Sequence, residues 1–226
     1  MTAKTVAGFL PSTSGLHFAN AFPKVPVRKI GIPGIVSVPI GDASNGLCGG
    51  MVFAARDYFE QGRPPPSNTT PPSRGKLFDY IVTRLFDSFD LPFGPGRYLG
   101  LMNPMLPDDE SVWSRIGLAP HGRAWRMVHQ EWPKVRADIE AGHPSPLGLV
   151  RIKSADPFQL KRNHQVLAYG YEHIGSLLTL RVYDPNRPGD DDVAIGLDLE
   201  HTTVPIAATP PVFAFFRVTY AAAAPP

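Results

Sequence analysis

The sequence predicts an α+β protein, and three observations carry that prediction. Helical periodicity dominates the chain up to about residue 142, and short β-branched or aromatic segments dominate from Pro146 onward, an order that separates helices from an antiparallel sheet. Hydrophobic residues make up 43% and charged residues 19%, enough apolar side chain for a sizeable core and too much for a disordered chain. The 26 prolines and 21 glycines, about a fifth of the 226 residues, follow no period. They exclude coiled coils and long helical bundles and predict extensive loops.

Residues 1–40 read as an extended arm with short strand pieces, because Pro23, Pro26, Pro33 and Pro39 forbid a helix there. A helical lobe with long loops follows over 41–145, and a sheet lobe over 146–226, within one domain spanning 1–226. The stretch Met51–Glu60 reads as a helix, with Met51, Val52, Ala55, Tyr58 and Phe59 at helical spacing. It is apolar nearly all round, which predicts a core position, and Gly62 ends it. RPPPSNTTPPSR is a loop by composition. KLFDYIVTRLFDSFD places apolar residues at 77, 78, 81, 82, 85, 86 and 89, a second helix. LPFGPGRYLGLMNPMLPDDE carries four prolines and reads as irregular, with a short helix over 110–116. The long 90–122 stretch is expected to rim a cleft and set specificity. Trp125, Val128, Trp132, Val135 and Ile139 mark a further helical face, with Pro133 opening a new helix and Gly142 closing it. LGLVRI, QVLAYGYE, LLTLRVYD, VAIGLDL and VFAFFRVTY are the strands.

Several classes of function are excluded. The net charge is +2, from 22 basic and 20 acidic residues, without a basic run, so no nucleic-acid partner is expected. No segment approaches the ~20 apolar residues of a spanning helix, and the N-terminus, broken by Pro11, is a poor secretory signal. The expectation is a soluble protein that does not engage membranes, cytoplasmic or exported without a cleavable signal. One cysteine rules out an internal disulfide framework. The histidine pairs His121/His129 and His164/His173 do not have tight ligand spacing, so neither a catalytic metal nor a cofactor is expected. The sequence does not specify the oligomeric state.

Three residues stand out for chemistry. Cys48 opens the first helix, and a thiol at a helix N-terminus lies beside unpaired N–H groups that favour the nucleophilic thiolate. The flanking Gly46, Gly49 and Gly50 let a substrate backbone approach. His164 opens one strand and Asp184 closes the next. A hairpin centred on Ile174 would set His164 directly across from Asp184, where the carboxylate can accept from one imidazole nitrogen and leave the other for the nucleophile. Asn186, two residues beyond, is the alternative orienter.

The order Cys, His, Asp/Asn, together with the segments GLCGGMVFAARDYF, GHPSPLGLVRI, NHQVLAYGYE and RVYDPN, resembles the papain-like cysteine peptidase superfamily. The nearest likeness is to its bacterial branches, including peptidases that process double-glycine leaders. These segments cover under a quarter of the chain. The resemblance implies a papain-like fold, with the cysteine's core helix packed against a C-terminal antiparallel sheet. It also implies a Cys48–His164–Asp184 triad, a thioester acyl-enzyme, and a peptide or protein substrate cleaved at an amide bond. The chain departs from the family at Asp42, six residues before the cysteine, where the family usually carries an oxyanion-binding glutamine. A carboxylate there would repel the oxyanion. Asn45 is the substitute donor, with the Cys48 N–H. Two other readings accompany the hydrolase: an acyl or amine transferase of the same fold, and a catalytically inactive papain-like binding protein.

Overall fold

The computed structural model describes residues 1–24, 43, 46–90 and 93–226. The N-terminal arm opens with strand β1 (Thr2–Thr5) and one helical turn, α1 (Pro11–Ser14). The rest of the arm that the sequence reads as extended, from residue 25 on, lies outside the described residues, as do Asp42 and Asn45. Helix α2 (Cys48–Glu60) begins three residues earlier than its apolar pattern does, since Gly49 and Gly50 contribute no apolar side chain to that pattern. Gly62, at φ +62, accompanies its end, and the Gly62 N–H bonds Phe59 O at 2.9 Å. Helix α3 (Lys76–Ser88) follows the proline-rich loop and buries Phe78, Ile81 and Leu85.

The segment expected to be irregular contains helix α4 (Phe93–Met102). Pro95 falls in its first turn, where no N–H is required of it. Behind it Tyr98, Leu101 and Met102 are buried at i, i+3, i+4. A short helix, α5 (Val112–Arg115), is capped by the Ser111 hydroxyl, which accepts the Ser114 N–H at 3.0 Å. Where the sequence predicts a fresh start at Pro133, the chain instead runs on. Helix α6 (Arg123–Trp125) passes through a π-helical turn (Arg126–Glu131) into α7 (Trp132–Glu140). Proline lacks the N–H that an α ladder would direct to residue 129, and its ring crowds that carbonyl, so a widened turn before it relieves both.

The sheet is antiparallel: β2 (Ser145–Val150), β3 (His164–Ile174), β4 (Leu177–Tyr183), β5 (Ala194–Asp198) and β6 (Ala214–Arg217), in the order β5-β4-β3-β2-β6. β1 pairs with β3 beyond β2, Thr5 opposite Gly170. A 3₁₀ turn (Pro157–Arg162) connects β2 to β3.

Two apolar clusters meet at α2. Val52, Phe53 and Ala55 pack toward the sheet with Val166, Leu180 and Phe216. Met51 and Ala54 pack toward α3 with Ile81 and Leu85. Burial on both sides is why α2 is apolar all round. The helices touch most closely at Gly50, where an added Cβ would lie 2.0 Å from Ile81 O. A backbone carbonyl cannot move aside without the helix that carries it. Gly50→Ala is therefore expected to cost about 1–3 kcal/mol despite alanine's better helix propensity. Urea denaturation measures this, and a stabilised variant would contradict the close crossing. Among the described residues no helix is long and apolar enough to cross a membrane.

Candidate functional site

Cys48 is the first residue of α2, half-buried, and the N-cap residue Leu47 supplies no side-chain cap. Its sulfur lies in the neighbourhood of the His164 imidazole and of the backbone N–H groups of Gln165 and Gly49, all of which favour its thiolate form. His164 is the first residue of β3, opposite Leu149 on β2, and is only 4% exposed. Its Nε2 lies 2.6 Å from Asp184 Oδ1. An ionised carboxylate only accepts, so Nε2 carries the proton and Nδ1 is left for the sulfur. Asp184 follows the end of β4. Its Oδ1 also accepts the Asn186 N–H at 2.8 Å, and Arg151 Nη2 stands 3.8 Å from its Oδ2. Tyr98 on α4, part of the stretch expected to rim the cleft, donates to the His164 carbonyl at 3.2 Å.

The sequence-predicted route to this meeting needs correction. The hairpin turns at Gly175–Ser176 rather than at Ile174, with Ile174 opposite Leu177 and Gly170 opposite Arg181. Carried on unchanged, that register would set Asp184 opposite Leu167, which faces away from His164. The register shifts between Gly170 and Ala168, so that Ala168 lies opposite Val182 and Leu167 opposite Tyr183. Tyr169 is the extra residue of a β-bulge, a device that re-aims side chains. Continued past the bulge, Val166 falls opposite Asp184 and His164 opposite Asn186. Asp184 therefore reaches His164 diagonally, on the same face. Asn186, the alternative orienter, presents Nδ2 to His164 Nε2 at 3.4 Å, a donor facing a donor, so Asp184 holds the imidazole.

Charge and burial act together here. Burial opposes ionisation of the Cys48 thiol, but the His164 charge, its hydrogen bond and the two backbone N–H groups outweigh it and hold the thiol below its ordinary range. Burial likewise disfavours a charged His164, yet the Cys48 thiolate and the Asp184 carboxylate push its pKa up to about 9. Asp184 resists its own burial through the His164 hydrogen bond and charge, the Asn186 N–H and Arg151, and stays below the usual carboxylate range. The arrangement favours a thiolate–imidazolium pair over the neutral couple.

Three further residues belong to this neighbourhood, and sequence spacing does not mark them. Arg151, just past β2, is partly buried beside Asp184. Gln165 donates toward Ser88 Oγ at 3.3 Å and packs on Gly49. Asn20 of the N-terminal arm accepts the Leu47 N–H on Oδ1 at 2.6 Å and donates from Nδ2 to Asn186 Oδ1 at 3.3 Å. Its own N–H bonds Pro185 O at 2.9 Å. The oxyanion candidate Asn45 lies outside the described residues. Among the described residues no group of three or more His, Cys, Asp or Glu side chains is gathered to hold a metal ion. The chain matches no known protein family, no curated protein and no solved structure.

Proposed function

We propose that the chain is a cysteine-dependent hydrolase of papain-like architecture that cleaves a peptide or other amide through a thioester acyl-enzyme. The observation that carries this reading is the convergence of Cys48, His164 and Asp184 from three distant segments, with Nε2 on the carboxylate and the second ring nitrogen left for the sulfur. The Cys48 thiolate attacks the carbonyl carbon, and the Cys48 N–H, free of the helix ladder at its first residue, donates to the developing oxyanion. The imidazolium gives its Nδ1 proton to the leaving amine as the C–N bond breaks. A water then loses a proton to Nδ1, attacks the thioester carbonyl and releases the acid, restoring thiolate and imidazolium. An amine in place of that water would make the same chain a transferase, and product analysis with an added amine separates the two.

The test is the pH dependence of Cys48 alkylation, which reports a single thiol because the chain has only one cysteine. Deprotonation through the lowered Cys48 pKa creates the pair as pH rises, and loss of the His164 proton near 9 removes its acid member. Iodoacetamide should therefore label the native protein below pH 7. Acyl transfer should rise through the thiol's range and fall as pH passes about 9. His164→Gln should move alkylation into the alkaline range, at least about tenfold slower near pH 6. Labelling only after denaturation would refute the proposal.

A further inference from the structure

Asn20 lies in the N-terminal arm, far in sequence from the three reactive residues, yet it joins the two pieces of backbone that carry Cys48 and Asp184. Its amide orientation is not free. The Leu47 N–H only donates, so the group facing it at 2.6 Å must be Asn20 Oδ1. Nδ2 therefore faces Asn186 and donates to Asn186 Oδ1 at 3.3 Å. The Asn186 amide is thereby fixed in turn, with Nδ2 toward His164 Nε2 at 3.4 Å. An amide NH₂ accepts nothing from a protonated Nε2.

We infer that Asn20 is a positioning residue that, through the Asn186 amide, denies His164 an asparagine acceptor and leaves Asp184 as the sole orienter of the imidazole. The chain of orientation runs Leu47 N–H, Asn20, Asn186, His164. Rotating Asn186 by half a turn would present its Oδ1 to Nε2, and the arrangement would then be of the Cys–His–Asn kind. What prevents the rotation is the donor at Asn20 Nδ2, which would meet a second donor. This inference rests on the proposed thiolate–imidazolium pair.

Asn20→Asp is the discriminating substitution. It keeps the acceptor for the Leu47 N–H and replaces the donor toward Asn186 by a second acceptor, so Asn186 turns its NH₂ to position 20 and its Oδ1 to His164. The experiment compares the iodoacetamide rate constant of Cys48 near pH 6 in five proteins: wild type, Asn20→Asp, Asp184→Ala, the Asn20→Asp/Asp184→Ala double variant, and that double variant with Asn186→Ala added. Asp184→Ala should lower the rate at least about tenfold, the equivalent of one pKa unit. The double variant should recover a several-fold higher rate, and adding Asn186→Ala should remove the gain. ¹⁵N shifts of the His164 ring should show Nε2 hydrogen-bonded in the double variant and not in the triple.

A double variant no faster than Asp184→Ala overturns the inference. So does a gain that survives Asn186→Ala, because the new charge alone would then explain it. A wild-type thiol unreactive near pH 6 is a different failure: it removes the proposed function and this inference with it.

Discussion

Cys48→Ala is expected to reduce hydrolysis of an activated acyl substrate such as p-nitrophenyl acetate by at least about three orders of magnitude, with labelling by an electrophilic peptide probe lost altogether. Removing a covalent nucleophile deletes the route itself, and residual rates come only from binding and the remaining dipoles. The fold should persist. Cys48 is half-buried at the first position of α2, and the clusters on either side of that helix are built from Val52, Phe53, Met51 and Ala54. His164 keeps its bond to Asp184. Far-UV circular dichroism should be unchanged and the melting temperature within about 3 °C. A variant that retains hydrolysis locates the chemistry elsewhere, whereas one that unfolds assigns Cys48 to the core.

Asp57→Ala is expected to do the reverse, leaving every reactive group in place but destabilising the protein by about 3–5 kcal/mol. Asp57 sits on α2 with a side chain that is 0% exposed. Its two oxygens accept from Arg84 Nε at 2.7 Å and Nη2 at 3.1 Å, from Tyr80 at 2.7 Å, from Tyr220 at 2.6 Å and from the Ala223 N–H at 3.0 Å. Arg84, 2% exposed, also donates to Ala221 O. The cluster thus ties α2, α3 and the chain after β6 together. Truncating the carboxylate leaves a buried guanidinium with only the half-exposed Asp87, at 2.7 Å from Nη1, as counter-charge, which is worse than having neither group. The melting temperature should fall by roughly 10 °C. The paired Asp57→Leu/Arg84→Met variant should be markedly milder. Equal losses in the single and paired variants would contradict this account.

The sequence was most legible where one face of an element repeats. Helices α2 and α3, α7 and five of the six strands follow apolar spacing that survives on the page. Helix α4 was hidden because Pro92, Pro95, Gly94 and Gly96 crowd its entry, although Tyr98, Leu101 and Met102 carried a short helical signal behind them. The turn centre is ill-defined in the sequence because the whole of EHIGS has turn composition, whereas β3 runs on to Ile174 and the chain reverses at Gly175–Ser176. The bulge at Tyr169 has only a faint signature, the isolated Gly170 inside the strand pattern, which marks a weak point without giving the register shift. At the site, Cys48, His164 and Asp184 could be nominated because each carries chemistry at an element boundary. Asn20 and Arg151 carry no such signal, since they come from the N-terminal arm and from the segment just past β2, with no period to link them.

Tyr169 also divides the sheet into a tolerant half and an intolerant half. Material grafted at the Gly175–Ser176 tip lies beyond the extra residue, so a short reporter peptide inserted there leaves the odd–even order of residues 164–168 intact. Deleting one residue between Tyr169 and His164 would exchange that order, swing the imidazole through to the opposite side of the sheet and carry it away from the sulfur.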